Sequence, residues 1–257
     1  MQRFPRKRFG QHFLIDEQII SAIIAAIGPR SGDSIVEIGP GLGALTRPLL
    51  ARLNHLHVIE IDRDIVARLT REFSAERLTI HNGDALHFDF VRLGENLRVV
   101  GNLPYNISSP LLFHLTRYAR CLRDLHLMLQ KEVVERMAAA PSTAAYGRLS
   151  VMLQYRYNME QLLVVPSIAF RPAPKVESAV IRLIPRAAHE LQAKDEELFA
   201  KIVARAFTQR RKTLRNSLKP HLAARDFEVL NLDPGWRAEN LSSDDFVRIS
   251  NHLGKQD

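Results

Sequence analysis

Ser34-Ile35-Val36-Glu37-Ile38-Gly39-Pro40-Gly41-Leu42-Gly43 decides the fold. The first five residues read as a strand, and the last five place a glycine at every second position. Glycine tolerates backbone angles that other residues avoid and lets a ligand approach the chain. A helix is expected directly after it, from Ala44 to Arg52. Downstream, the spacing predicts a strand at 57–61, a helix at 64–73, and strands at 78–80 and 98–101. Two further strands are expected at 126–129 and 179–183. Strands alternating with helices argue for a doubly wound, mostly parallel α/β sheet of the Rossmann-like kind. Upstream, residues 16–27 carry apolar side chains at helical spacing after an acidic start, and Gly28, Pro29 and Gly32 break that helix.

Beyond Pro185-Arg186 the strand signals stop. Residues 195–218 are helical in pattern, with Leu198, Ile202, Ala206, Leu214 and Leu218 on one side, and Pro220 halts the run. A last helix is expected from Ser242 or Ser243, either a good N-cap. The expected organisation is an α/β domain over 1–184 and a small all-helical domain over 185–257.

A chain of 257 residues with 46% hydrophobic content can bury a substantial core. Its formal net charge of +8 favours phosphate-rich polymers or anionic surfaces as partners. The single cysteine, Cys121, allows no disulfide framework within the chain and no cysteine cluster for zinc. The ten histidines show no metal-binding spacing, so no metal is expected. The basic start is not followed by an apolar stretch of signal-peptide length, and Ile19 to Ile27 is too short to span a bilayer. The expectation is a cytoplasmic monomer without a membrane partner.

In an open parallel sheet, ligands bind outside the carboxyl ends of the strands. Gly39, Gly41 and Gly43 occupy one such end. Glu60 ends the next strand, where a carboxylate can accept hydrogen bonds from both hydroxyls of a ribose. Asp84 follows the third strand and can accept from the amino group of an adenine, although alone it reads as a turn aspartate. Two cofactor classes fit. A dinucleotide would call for G-x-G-x-x-G with its pyrophosphate on the helix N-terminus. The spacing here is G-x-G-x-G, the looser pattern common among S-adenosylmethionine sites.

The strand at 98–101 runs into Asn102-Leu103-Pro104-Tyr105. This has the form of the signature Asn/Asp/Ser-Pro-Pro-Tyr/Phe, found where amino groups of bases or glutamine amides are methylated. An exocyclic amine is a poor nucleophile because its lone pair is delocalised into the ring. The side-chain oxygen of Asn102 and the backbone carbonyl of Leu103 can accept its two N–H groups, favouring a pyramidal nitrogen. No strong base is needed, since the proton becomes acidic only as the new bond forms. Pro104 restricts φ and steadies the carbonyl. Tyr105 offers a flat face for a base.

Taken together, Gly10-Gln11-His12-Phe13-Leu14, Glu37 to Gly43, Glu60-Ile61-Asp62, Gly83-Asp84-Ala85, Gly101 to Ile107 and Phe170 to Ser178 closely resemble the bacterial small-subunit ribosomal RNA adenine dimethyltransferases, the kasugamycin-sensitivity family. The match runs over nearly the whole chain. It implies S-adenosylmethionine as cofactor and two adjacent adenines of a hairpin loop near the 3′ end of 16S ribosomal RNA as substrate, modified during assembly of the 30S particle. The resemblance sets His12, Leu14 and Gly39 on the methionine side of the cofactor, Glu60 at the ribose and Asp84 at the adenine. It counts Gln11, Gly41, Ile61, Ala85 and Asn102 among the cofactor-binding residues as well. Asn102 and Leu103 would face the target amine, and Phe170 would stack on the flipped base opposite Tyr105. Many members carry Asn where this chain has His12.

Arg205, Arg210, Arg211, Lys212, Arg215 and Lys219 fall in one tract without an acidic residue. Arg211, Arg215 and Lys219 are spaced to share one helix face. Arg3, Arg6, Lys7 and Arg8 form a second cluster. Both are expected to neutralise RNA phosphates. Two other readings stand beside the first. One is an antibiotic-resistance adenine methylase of large-subunit ribosomal RNA. The other is an assembly factor whose binding matters more than its turnover. The tract Ala145 to Ser150 and the basic C-terminal helices look like the small-subunit group.

Overall fold

The computed structural model describes residues 12–254. They form two compact units, one of the described residues up to Val134 with Met159–Pro185, the other of Glu135–Asn158 with the described residues from Arg186 onward.

The first unit is built on β1 (Phe13–Leu14), α1 (Glu17–Ile27), β2 (Ile35–Ile38), α2 (Thr46–Leu50), β3 (Leu56–Glu60), α3 (Arg63–Glu72), β4 (Leu78–Asn82), β5 (Leu97–Asn102), α4 (Ser108–Thr116) and β6 (Leu122–Gln130). The start of α5 (Lys131–Ala138), most of β7 (Tyr157–Val165), β8 (Phe170–Arg171) and β9 (Ser178–Pro185) complete it. Seven strands form one sheet in the order β4-β3-β2-β5-β6-β9-β7. The pairs from β4 through to β6 are parallel, and β9 runs antiparallel to β6. The mostly parallel α/β reading therefore holds. β1 and β8 form a separate antiparallel ribbon, pairing Phe13 with Arg171 and Leu14 with Phe170.

The chain winds one way from β2 through β3 to β4, then returns to the other flank of β2 as β5. This reversal opens a crevice at the carboxyl ends of β2 and β5. The two strands come close there: a Cβ on Gly101 would lie 2.6 Å from the carbonyl oxygen of Ile38.

Local signals explain the elements. Asp16 caps α1, its carboxylate accepting from the N–H groups of Gln18 at 2.9 Å and Ile19 at 3.1 Å. Gly28, left-handed at φ 56°, ends the helix. Ile20, Ile23, Ile24 and Ile27 bury one stripe in the core beside Leu49, Val100 and Met128. Arg98 joins the end of α1 to the sheet. Its guanidinium donates to Asp124 at 2.9 Å, Asp33 at 2.7 Å and the Ile27 carbonyl at 2.6 Å. No helix among the described residues is long and apolar enough to cross a membrane.

The second unit holds the remainder of α5, then α6 (Arg148–Arg156), α7 (Glu196–Thr208), α8 (Leu214–Ser217), α9 (Ala224–Val229) and α10 (Ser243–Leu253). Tyr146, Tyr155, Phe199, Ile202, Phe246 and Ile249 share its core. The buried Tyr146 hydroxyl donates to the Leu241 carbonyl at 2.9 Å. Ser242 caps α10, accepting from the Asp245 N–H.

Two expectations are corrected here. Residues 135–158 group with the C-terminal unit and not with the sheet, because Tyr146, Val151 and Tyr155 pack into its apolar cluster. The division at 184 had left them in the first domain. The helix expected over 195–218 also breaks after Thr208. The N–H groups of Leu214 and Arg215 bond across to the carbonyls of Trp236 and Pro234 instead of continuing a helical ladder. Tertiary pairing outweighs helical periodicity there.

Glu37 is fully buried at the end of β2 and accepts from the Thr46 hydroxyl at 2.7 Å. Burial, aided by the nearby charge of Glu60, pushes its carboxyl from 4.5 up to about 7. A carboxyl with a raised folded pKa favours the fold while protonated. That stability is complete below the unfolded value and is lost as pH rises through the folded one. Glu37→Gln keeps an acceptor for Thr46 and removes the titration. In denaturant melts it should exceed the parent by up to about 3 kcal/mol near pH 8, the gap closing near pH 4.5; a pH-independent gap contradicts the assignment. Gly101→Ala should cost about 1–3 kcal/mol, read by the same melts, because the added methyl meets backbone that cannot give way.

Candidate active site

A cavity of about 820 Å³ opens at the reversal of the sheet, a size that suits a nucleoside-sized ligand. Its wall is made of strand ends and the loops that follow them. Gly39, Gly41 and Gly43 turn the chain out of β2 with φ of 67°, 54° and 86°. This left-handed backbone is the conformation glycine supplies without strain. The Gly39 N–H donates to the Ile59 carbonyl at 3.0 Å and holds the turn against β3. A side chain at Gly41 would press on the Phe13 ring at 3.3 Å.

Glu60 ends β3 on the same wall and is 5% exposed. Burial raises its pKa, while hydrogen bonds from the backbone N–H groups of Asp62, Gly41 and Ile61 oppose that rise. The Asp62 contact is 2.8 Å. The carboxylate is thus held in one orientation by the chain itself, with acceptor capacity to spare for a ligand's hydroxyls. Ile61 lines the cavity although it is 48% exposed. Asp84 and Ala85 reach the wall from beyond β4. One Asp84 oxygen accepts from the Leu86 N–H at 2.9 Å, and the other lies 3.3 Å from His87.

Asn102 lines the opposite side, at the end of β5. Its amide donates to the His12 carbonyl at 3.1 Å. Pinning the nitrogen end leaves Oδ1 as the acceptor end of the group. Pro104 also lines the cavity. Leu103 is 1% exposed and outside the lining, so only its backbone is suited to a polar role. Tyr105 is outside the lining too; its hydroxyl bonds to Ser178 at 2.9 Å. His12 stacks on Tyr105 with ring centroids 5.5 Å apart, and its Nδ1 approaches the Pro172 carbonyl at 2.7 Å.

The cavity therefore gathers His12, Leu14, Gly39, Gly41, Glu60, Ile61, Asp84, Ala85 and Asn102. Gln11 and the cluster of Arg3, Arg6, Lys7 and Arg8 lie outside the described residues. Phe170 stands apart. Its place in β8 opposite Leu14 turns it into the core, where it is 3% exposed, so it offers no face to a base in this conformation. Sequence reasoning missed Ser178, which orients Tyr105, and Phe13, which packs on the glycine turn. It also missed Arg47, which lines the cavity and donates to the Gly43 carbonyl at 3.2 Å. The four-residue spacing from Gly43 to Arg47 was the available signal for the last.

The basic tract belongs to the second unit. Because the helix ends at Thr208, Arg211, Arg215 and Lys219 do not share one helix face. Arg211, Lys212, Arg215 and Lys219 are exposed, and Arg205 on α7 is half-buried. Arg210 is committed within the fold, bonding to Glu239 at 3.1 Å and the Ala144 carbonyl at 2.7 Å.

A family model described as "Ribosomal RNA adenine dimethylase" matches residues 3–255. The chain is 63% identical to a protein of Thiobacillus denitrificans named ribosomal RNA small subunit methyltransferase A, over 97% of this chain and 98% of that one. A relative of the same name in Nitrosospira multiformis is 61% identical over 99% and 98% of the two chains. Among solved structures, a dimethyladenosine transferase from Plasmodium falciparum is 26% identical with a TM-score of 0.81, covering 95% of this chain and 98% of the other. The 23S rRNA methyltransferase ErmE is 26% identical with a TM-score of 0.71, over 94% and 99%. With its crevice, its glycine turn and its Asn-Leu-Pro-Tyr strand end in place, the chain belongs to the ribosomal RNA adenine dimethylase family.

Proposed function

We propose that this protein transfers methyl groups from S-adenosylmethionine to the N6 amines of two adjacent adenines in a loop near the 3′ end of small-subunit ribosomal RNA. It would act as a monomer in the cytoplasm, on the immature 30S particle. The observation that carries the reading is the position of Asn102, across one cavity from Glu60 and Asp84. The names of the relatives at 61–63% identity favour small-subunit over large-subunit RNA.

The residues fit the cofactor. Glu60 is a buried, oriented acceptor suited to ribose hydroxyls, and Asp84 is an acceptor suited to an adenine amine. The glycine turn leaves room beside Gly39 and Gly41 for the methionine part. S-adenosylmethionine, when bound, supplies a methyl group activated by a sulfonium. The protein's own work is positioning and electrostatics. Asn102 Oδ1 and the Leu103 carbonyl would accept the amine's two N–H groups, aim its lone pair and stabilise the positive charge that develops on nitrogen. Solvent then takes the proton once the new bond has made it acidic. His12 stacks on one face of Tyr105, and the target base would stack on the other. A base in a loop can be splayed into such a site at less cost than one in a duplex.

The test is transfer of labelled methyl to immature small subunits that lack dimethyladenosine, followed by digestion to nucleosides. Label in N6,N6-dimethyladenosine at the paired loop adenines is expected. Label only in large-subunit RNA would move the protein to the resistance-type activity. Asn102→Ala should lower transfer about 10²–10³-fold while particle binding persists. An assembly phenotype unchanged by that replacement would show that binding, not chemistry, is the main role. In the basic tract, Lys212→Gln and Arg215→Gln should each reduce the slope of log affinity against log salt by about one, with no change in sequence preference.

A further inference from the structure

We infer that Trp236 is a stacking platform for an unpaired nucleotide, framed by phosphate-binding side chains from Arg211, Lys212, Arg215 and Arg237. This rests on the RNA-binding reading of the second unit and deepens it from a charged surface to a site with a base-recognising element.

Trp236 is the only tryptophan in the chain and is 43% exposed. A part-exposed indole offers a flat apolar face with one polar N–H, the form enriched where a partner stacks. The backbone sets it in the basic tract. Its carbonyl accepts from the Leu214 N–H at 2.6 Å, and the Pro234 carbonyl accepts from the Arg215 N–H at 3.1 Å. Thr213 and Arg237 form an antiparallel bridge. The turn that carries the indole is closed on itself as well. The Trp236 N–H donates to the Asp233 carbonyl at 3.0 Å, and the Gly235 N–H donates to the Asp233 carboxylate at 2.7 Å. The same break that ends the long helix at Thr208 thus laces 213–215 to 234–237. It presents the ring on a fixed loop.

Charge completes the case. Arg211, Lys212, Arg215 and Arg237 are exposed, and none forms an ion pair among the described residues. The neighbouring acid, Asp233, has a carboxylate oxygen engaged with its own turn. A flat apolar ring among unpaired cations matches a nucleotide whose base face is open and whose flanking phosphates need neutralising. A duplex hides its base faces and would use the cations alone. An apolar protein partner would gain nothing from four uncompensated charges. The occupant is therefore an unpaired segment of RNA.

A lone tryptophan makes the test direct. The intact protein is titrated with an oligoadenylate of about twelve nucleotides, an RNA duplex of equal length, and heparin, which has charge but no bases. Oligoadenylate should quench the tryptophan emission; heparin should bind and leave it. By filter binding, Trp236→Ala should weaken oligoadenylate about 5- to 150-fold at an unchanged salt slope, and Trp236→Phe should recover most of the loss. An unchanged far-ultraviolet circular dichroism spectrum and denaturant midpoint verify that the variants are folded. Equal quenching by heparin, or full affinity in a folded Trp236→Ala, overturns the inference. So does a defect seen only on protein-containing particles, which would place a protein against the ring. Lack of methyl transfer with quenching intact would count against the proposed reaction and not against this site.

Discussion

Everything in the site depends on the close approach of β2 and β5 at the point where the sheet reverses its winding. The carbonyl of Ile38 occupies the space that a side chain on Gly101 would need. That contact brings the glycine turn after β2 to the strand end that carries Asn102. With a wider spacing the cavity would lose one wall, and acceptors that face each other would belong to separate clefts. The contact is backbone against backbone, so no rearrangement of side chains can substitute for it.

Carboxylates outnumber guanidinium groups around the cleft: Glu17, Glu37, Glu60 and Asp84 stand against Arg47 and Arg52, and Asn102 adds an acceptor oxygen. Such a set suits a ligand that is rich in donors and positively charged, and a nucleophile that must shed a proton late. Burial works against the two glutamates, raising the pKa of each. Fixed donors offset part of that cost: Thr46 for Glu37, and the backbone N–H groups of Asp62, Gly41 and Ile61 for Glu60. The fold thereby tolerates buried carboxylates along the cavity wall.

The site was largely legible in the sequence because its groups sit at strand ends, where periodicity and chemistry coincide. Gly39, Glu60, Asp84 and Asn102 each follow a short apolar run. What was illegible depends on contacts distant along the chain. Phe170 follows from its ribbon partner Leu14, not from the proline-rich loop after it. The edge strand β7 was missed because Asn158, Glu160 and Gln161 interrupt its apolar residues. The break after Thr208 is set by bonds from Leu214 and Arg215 to Trp236 and Pro234, far along the chain, against a helical pattern that runs on to Leu218. The grouping of 135–158 with the second unit is equally non-local, since Tyr146 is anchored through Leu241.

A crystal structure of the protein with S-adenosylmethionine bound tests the central claim most directly. The account predicts ribose hydroxyls on the Glu60 carboxylate, the adenine amine at Asp84, and the sulfonium methyl facing Asn102 across the cleft. A cofactor bound with its methyl turned away from Asn102, or seated outside the crevice between β2 and β5, would contradict it.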